Sequence, residues 1–288
     1  MREPGRAAVS PEWVLEPRRA GVGARLREVW RYRHLIRFFG GRALAKIYRR
    51  TVLGRLWIVI RPLVTVAVSA VVFHGIVGIE TGQTPYILFF LVGMTCWSLF
   101  ESALTWTTRS LELNRRLLKQ QYIPRLVLPI ACLSPALAEL GVNLTLIAIA
   151  TAYYGVTAGT THLVLGPSTG FTLLAVVLCC ILALALGLWT SVLAAKARDV
   201  RFLLSYVLQP WFFVTPVIYP LTAVPERWRW AAELNPLTTI VELFRFGLLG
   251  TGSVSPAHLI GVVGAVVLIM MMGLTFFDRT ESATVEGI

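Results

Sequence analysis

The stretch GFTLLAVVLCCILALALGLWTSVLAA, residues 170–195, runs for 26 residues without an Asp, Glu, Lys, Arg or His. A hydrocarbon core of about 30 Å is crossed by about 20 mainly apolar residues in helical conformation, so this stretch predicts a transmembrane helix. Working outward, five further segments qualify, at 57–79, 85–107, 126–154, 202–219 and 257–277. Six transmembrane helices make an all-α integral membrane protein, and an even number puts both ends on one side. The whole chain agrees: 56% of its 288 residues are hydrophobic and 15% charged, with a mean hydropathy of +0.69, whereas a soluble domain carries about 25% charged residues. An ordinary water-soluble protein is excluded.

A net charge of +12 could suggest a nucleic-acid partner, but the charge is distributed as topology. Of 27 basic residues, 14 fall in the first 55 positions and most of the others in two short connections. Loops rich in Lys and Arg stay cytoplasmic. With the N-terminus inside, the inner connections carry Arg109, Arg115, Arg116, Lys119 and Arg125, then Lys196, Arg198 and Arg201; the outer ones carry only Arg227, Arg229 and Arg245. The count is 24 inward against three outward, which predicts cytoplasmic termini and no nucleic acid.

Residues 1–23 lack the apolar core of a secretory signal and read as a mobile cytoplasmic tail, with 278–288 as a second. Over 24–56 the chain turns basic and periodic. Arg42, Lys46, Arg49 and Arg50 share one helical face, with Leu44, Ile47 and Tyr48 opposite, the pattern of an amphipathic helix lying in the headgroup layer. Between the fifth and sixth spans, 221–255 is too apolar for a free loop and too broken by Pro225, Pro236 and glycines for a clean span. Its Trp228 and Trp230 suit an interface. It predicts short re-entrant or interfacial helices on the outer side.

Several chemistries are missing. Asp199 and Asp278 are the only aspartates, so no Asp-x-Asp pair exists to hold a metal against a sugar diphosphate. No Gly-x-x-x-x-Gly-Lys-Ser/Thr loop occurs, so the chain has no such cradle for a nucleoside triphosphate. His34, His74, His162 and His258 are scattered, and Cys96, Cys132, Cys179 and Cys180 sit inside apolar runs without ligand or disulfide spacing. No catalytic or metal site is expected.

Ionisable groups inside spans usually face a bundle interior or pore; the candidates are Glu101, Glu139 and, less deeply, Arg61. Aromatic faces are flat and apolar and suit sugar rings. Trp97 and Phe100 in the second span, with Tyr206, Trp211 and Tyr219 in the fifth, are therefore candidate channel-lining residues beside Glu101. Pro210 and Pro216 are candidate hinges of the fifth span, because proline removes a backbone hydrogen bond.

The inner connection 107–125 is the most specific feature. Leu111, Leu117 and Leu118 alternate with Asn114, Arg115, Arg116 and Lys119, which predicts a short amphipathic helix ahead of Arg125. Topology accounts for the charges but not for the leucines. A helix projecting from a membrane bundle is a handle for a cytoplasmic partner.

Taken together, Arg50-Thr-Val-Leu-Gly-Arg-Leu-Trp57 with Arg61-Pro62, the stretch from Asn114 to Pro129, Arg198-Asp-Val-Arg201, Thr215-Pro-Val-Ile-Tyr-Pro220, Val224-Pro-Glu-Arg-Trp-Arg-Trp230 and Leu234-Asn-Pro-Leu-Thr238 resemble the permease subunit of type-2 ABC exporters for polysaccharides, those of O-antigen, teichoic acid and cell-wall galactan. The likeness runs in order over about 30–277. It implies a six-span, ABC-2 type transmembrane domain over 57–277 in a bacterial cytoplasmic membrane. A homodimer would enclose a channel for a lipid-linked polysaccharide, driven by two copies of a separate ATPase subunit that binds ATP and Mg. It further implies that the N-terminal helix packs at the membrane lipid surface and that 107–125 docks on the ATPase. The alternatives are a drug or lipid exporter of the same fold, a proton-coupled secondary transporter, for which no pair of interrupted spans is evident, and an enzyme acting on polyprenyl-linked sugars.

Overall fold

The structure is a computed structural model that describes residues 27, 29–48, 54–79, 81–82, 84–120, 123–160, 162–164, 166–252 and 254–286, and among these it is helical with no strand. The predicted tail 1–23 lies outside the described residues.

Its axis is the charge-free stretch. Helix α8, Thr169–Lys196, buries Leu178, Cys179, Leu182, Ala183, Leu188 and Val192. Helix α3, Tyr86–Thr108, lies against it and is buried along most of its length. The two approach so closely that a Cβ on Gly187 would run into the Thr107 side chain. Around this pair pack helix α2, Trp57–Ser69, continuing as a π-helical turn over Ala70–Ile76, and helix α7, Ser134–Ala158. Helix α12, Pro256–Glu286, packs along α8. On α12 the buried positions Val262, Val266, Gly273 and Phe277 form one stripe at helical spacing; the rest of its surface is open, as suits a helix bordering lipid or another copy.

The third predicted span is interrupted. A short helix α6, Val127–Ala131, turns at Cys132 and Leu133 before α7 begins. Pro135 has no N–H to give the Ala131 carbonyl four residues back; that oxygen accepts the Ser134 hydroxyl instead, at 2.8 Å. Helix α1, Arg33–Tyr48, packs across this break. Its seat is Phe39, Gly40 and Ala43, and a Cβ on Gly40 would stand 2.7 Å from Ser134 Oγ.

The fifth predicted span differs most from expectation. Helix α9, Asp199–Val214, has 16 residues, about 24 Å at 1.5 Å per residue, and Thr215 turns extended ahead of Pro216, as the residue before proline prefers. Among the described residues, five helices are long and apolar enough to cross a bilayer by themselves, where six were expected. Pro210 lies inside α9, whereas Pro216 lies in the following turn; the hinge expected at Pro216 is therefore not within a helix. Within 221–255 lie two short helices, α10 at Glu226–Leu234 and α11 at Pro236–Leu249. At the far end α12 continues to Glu286, so the expected tail 278–288 begins as helix.

Candidate functional site

The inner connection is not one helix but two, α4 at Ser110–Leu113 and α5 at Arg115–Gln120. Asn114 makes the corner, with φ −115° and ψ 12°. Its amide nitrogen donates to the Ser110 carbonyl at 2.9 Å, and its own carbonyl accepts from the Leu117 and Leu118 amides. An asparagine that bonds its neighbouring backbone competes with helix continuation, which explains the break. Expectation had the leucines facing a partner. Instead Leu111 is buried, and Leu117 and Leu118 pack with it among Phe39, Ile123, Leu128, Leu188, Val192 and Phe277. This cluster joins α1, the connection, α8 and α12 into one inner block. The face left outward carries Arg115 and Arg116. Arg125 is half-buried, and the Lys119 side chain lies outside the described residues.

One ion pair ties this block to α9. Arg201 Nη1 stands 2.9 Å from Glu112 Oε2, with both side chains partly exposed. The two inner connections, remote in sequence, are thereby held together. On α1, Arg42 is exposed. The Lys46 side chain, Arg49 and Arg50 lie outside the described residues.

Away from the 107–125 connection the structure assembles a polar knot around Arg245. Arg245, counted among surface charges by its position between spans, is 1% exposed. Its Nη1 donates to Glu242 Oε1 at 2.9 Å and to the Pro216 carbonyl at 2.7 Å, and its Nη2 donates to the Val217 carbonyl at 2.7 Å. The guanidinium lies 3.8 Å from the Phe89 ring centroid. Gly93 leaves the space, since a Cβ there would come within 2.5 Å of Nη2. The signal available in sequence was an opposite-charge pair three residues apart inside an apolar run, Ile240-Val-Glu-Leu-Phe-Arg-Phe246.

Beside it Asn235 caps α11. Its Oδ1 accepts the Leu237 amide at 3.1 Å and Trp211 Nε1 at 3.2 Å, while Nδ2 donates to Thr215 Oγ1 at 2.9 Å. The end of α9 and the start of α11 are locked by one side chain. Pro236 at the first helical position gives up nothing there, since its N–H would have no partner.

The candidate lining residues divide. Trp97 and Phe100 are buried within the protomer, edge-on to Phe212 and Trp211 respectively. Their faces are covered by the chain itself, so in this conformation neither reaches a solute. Trp97 Nε1 donates to Glu101 Oε2 at 3.2 Å, and Glu101 is half-buried. Tyr206 is 71% exposed on α9, in an open row with Phe202, Leu203 and Phe213. Trp211 and Tyr219 are half-buried, and the Tyr219 hydroxyl donates to the Phe213 carbonyl at 2.8 Å. Among the described residues no cluster of three or more His, Cys, Asp or Glu could hold a metal.

Comparison with known proteins places this arrangement. The family model described as ABC-2 type transporter matches residues 34–249. The chain is 24% identical over 238 residues to the O-antigen export system permease protein RfbA of Klebsiella pneumoniae, covering 81% of this chain and 87% of that one. It is 27% identical over 222 residues to the protein of the same name in Myxococcus xanthus, covering 76% and 82%. Over a shorter stretch of 93 residues it is 32% identical to the inner membrane transport permease YadH of Escherichia coli, covering 32% of this chain and 36% of that one.

Proposed function

The chain belongs to the ABC-2 type transporter family, and on that premise we propose that it is the channel-forming permease subunit of an ATP-driven exporter of a lipid-linked polysaccharide. The observation carrying this reading is the likeness to two O-antigen export permeases over more than three quarters of the chain. It joins a sequence with no phosphate-binding loop for ATP. Energy then has to arrive from a separate ATPase, as two copies against a homodimer of this chain.

The geometry supports a route for that energy. Closure of the ATPase dimer presses on Arg115 and Arg116. The leucines behind them carry the push into the inner block, and Glu112 carries it across to Arg201 at the root of α9. α9 bends at Pro210, where the backbone bond to the Tyr206 carbonyl is missing. Its outer end stays fixed by Asn235 and by Arg245 through Pro216 and Val217. The open aromatic face at Tyr206 and Phe213 then faces a second copy across the channel, with Tyr206 offering a flat ring to the passing glycan. Both termini lie on the cytoplasmic side, as the basic residues require.

Depletion of the protein in its host tests the reading. Surface polysaccharide is expected to fall while its lipid-linked form accumulates on the cytoplasmic leaflet, both measured by sugar analysis of surface and internal glycolipid. An unchanged surface polymer with an altered phospholipid or drug distribution would contradict it.

A further inference from the structure

A notch of about 260 Å³ opens between the inner ends of α3 and α9, lined among others by Thr105, Arg109, Arg201, Phe202 and Leu204. The Nε atoms of Arg109 and Arg201 are shut off from solvent, and neither has a hydrogen-bond partner among the described residues. Arg201 is paired with Glu112, but Arg109 has no carboxylate partner among them and lies 5.7 Å from the Trp106 ring. The notch thus holds two guanidinium groups against one carboxylate. Thr105 puts a hydroxyl on its wall. Forked guanidinium donors match phosphate oxygens. From the notch an apolar strip runs out along α9 through Phe202 and Leu203, exposed by 64% and 62%.

We propose that this notch binds the phosphate of an anionic lipid, with Arg109 and Arg201 on the phosphate and the acyl or isoprenoid chain lying along Phe202 and Leu203. A free phosphate would make no use of the strip. Glu112 competes for Arg201, so lipid occupancy loosens the bridge between the inner connection and α9. The proposal rests on the exporter reading only for the leaflet in which the lipid lies.

The test is native mass spectrometry of the permease–ATPase complex released from nanodiscs, counting lipids retained on the permease. The nanodiscs contain phosphatidylcholine alone, phosphatidylcholine with phosphatidylglycerol, or phosphatidylcholine with undecaprenyl diphosphate, each with and without inorganic phosphate. Wild type is expected to retain the anionic lipid and to shed phosphatidylcholine. Arg109→Gln, which leaves the Glu112–Arg201 pair intact, is expected to lower retention about tenfold, equivalent to about 1.4 kcal/mol. Glu112→Gln is expected to raise retention, the opposite of what a merely structural loss would do. Retention of phosphatidylglycerol alone identifies a bilayer lipid, and retention of undecaprenyl diphosphate alone identifies the carrier of the cargo; both support the site. Equal retention in wild type and Arg109→Gln overturns it, as does displacement of the lipid by inorganic phosphate. Failure of polysaccharide export with retention intact would sink the exporter reading and leave the notch standing.

Discussion

Arg201 reaches across 2.9 Å to Glu112, and through that contact α9 is fastened to the connection that precedes the third span. Both side chains are partly open to solvent. A pair in that setting contributes about 0.2–1 kcal/mol, too little to decide whether the bundle folds. On the proposed route for the energy, its value lies in joining two segments that move together.

Glu112→Gln and Arg201→Gln are therefore each expected to leave the thermal midpoint within a few degrees of wild type while lowering ATP-driven transport in the reconstituted complex severalfold. The exchanged pair, Glu112→Arg with Arg201→Glu, is expected to restore part of it. Transport rates in proteoliposomes beside a thermal melt make the comparison. Single variants that transport at the wild-type rate would remove Glu112 from the route.

Arg245 behaves in the opposite way, because its charge is 1% exposed and shared between one carboxylate and two carbonyls. Removing one member of a buried pair leaves the other uncompensated and costs about 3–5 kcal/mol. Arg245→Met is expected to lower stability on that scale. The double variant with Glu242→Gln is expected to recover part of the loss, since the orphaned carboxylate is then gone. Denaturation in detergent, followed by tryptophan fluorescence, reads both.

Asn235→Ala removes a helix cap and strands Trp211 Nε1, while Thr215 Oγ1 keeps its bond to the Trp211 carbonyl. Loss of a cap costs about 1 kcal/mol, and the stranded donor on Trp211 adds to it. Asn235→Asp keeps the cap acceptor but loses the donor to Thr215, so it is expected to fall between the two. A stability order other than wild type, Asp, Ala would contradict this account of the α9–α11 junction.

Gly40→Val is expected to lift α1 off the bundle, since even a Cβ would stand 2.7 Å from Ser134 Oγ and 3.1 Å from Ser134 Cβ. Gly41→Val, one residue on and facing open space, is the control. Limited proteolysis at the N-terminal segment should accelerate in the first variant and not in the second.

Why some of this was legible in sequence and some was not has a physical basis. Runs such as 170–195 specify spans because water and lipid discriminate strongly against charge, and position along the chain needs nothing further. Proline explains two departures, at Pro135 and Pro216, where the bond it cannot make or the conformation it imposes on its neighbour stops a helix inside an apolar run. The leucines of 107–125 exposed the limit of amphipathic spacing. It tells which residues share a face, and Leu111, Leu117 and Leu118 do, but not whether that face meets the bundle or a partner. Arg245 was misread for a related reason: charge counting treats every arginine between spans as solvated, while the three acceptors that bury this one come from two separate segments. Trp97 and Phe100 were legible as aromatic and apolar; their burial by Trp211 and Phe212 from α9 was not.

The central claim is that this chain is a conduit whose energy comes from another protein. Purified permease in liposomes, alone and then with its ATPase, should be assayed for nucleotide hydrolysis and for movement of lipid-linked glycan. Neither activity is expected from the permease alone, and both are expected once the ATPase and ATP are present. Hydrolysis, or uphill movement of cargo, by the permease alone would contradict the claim.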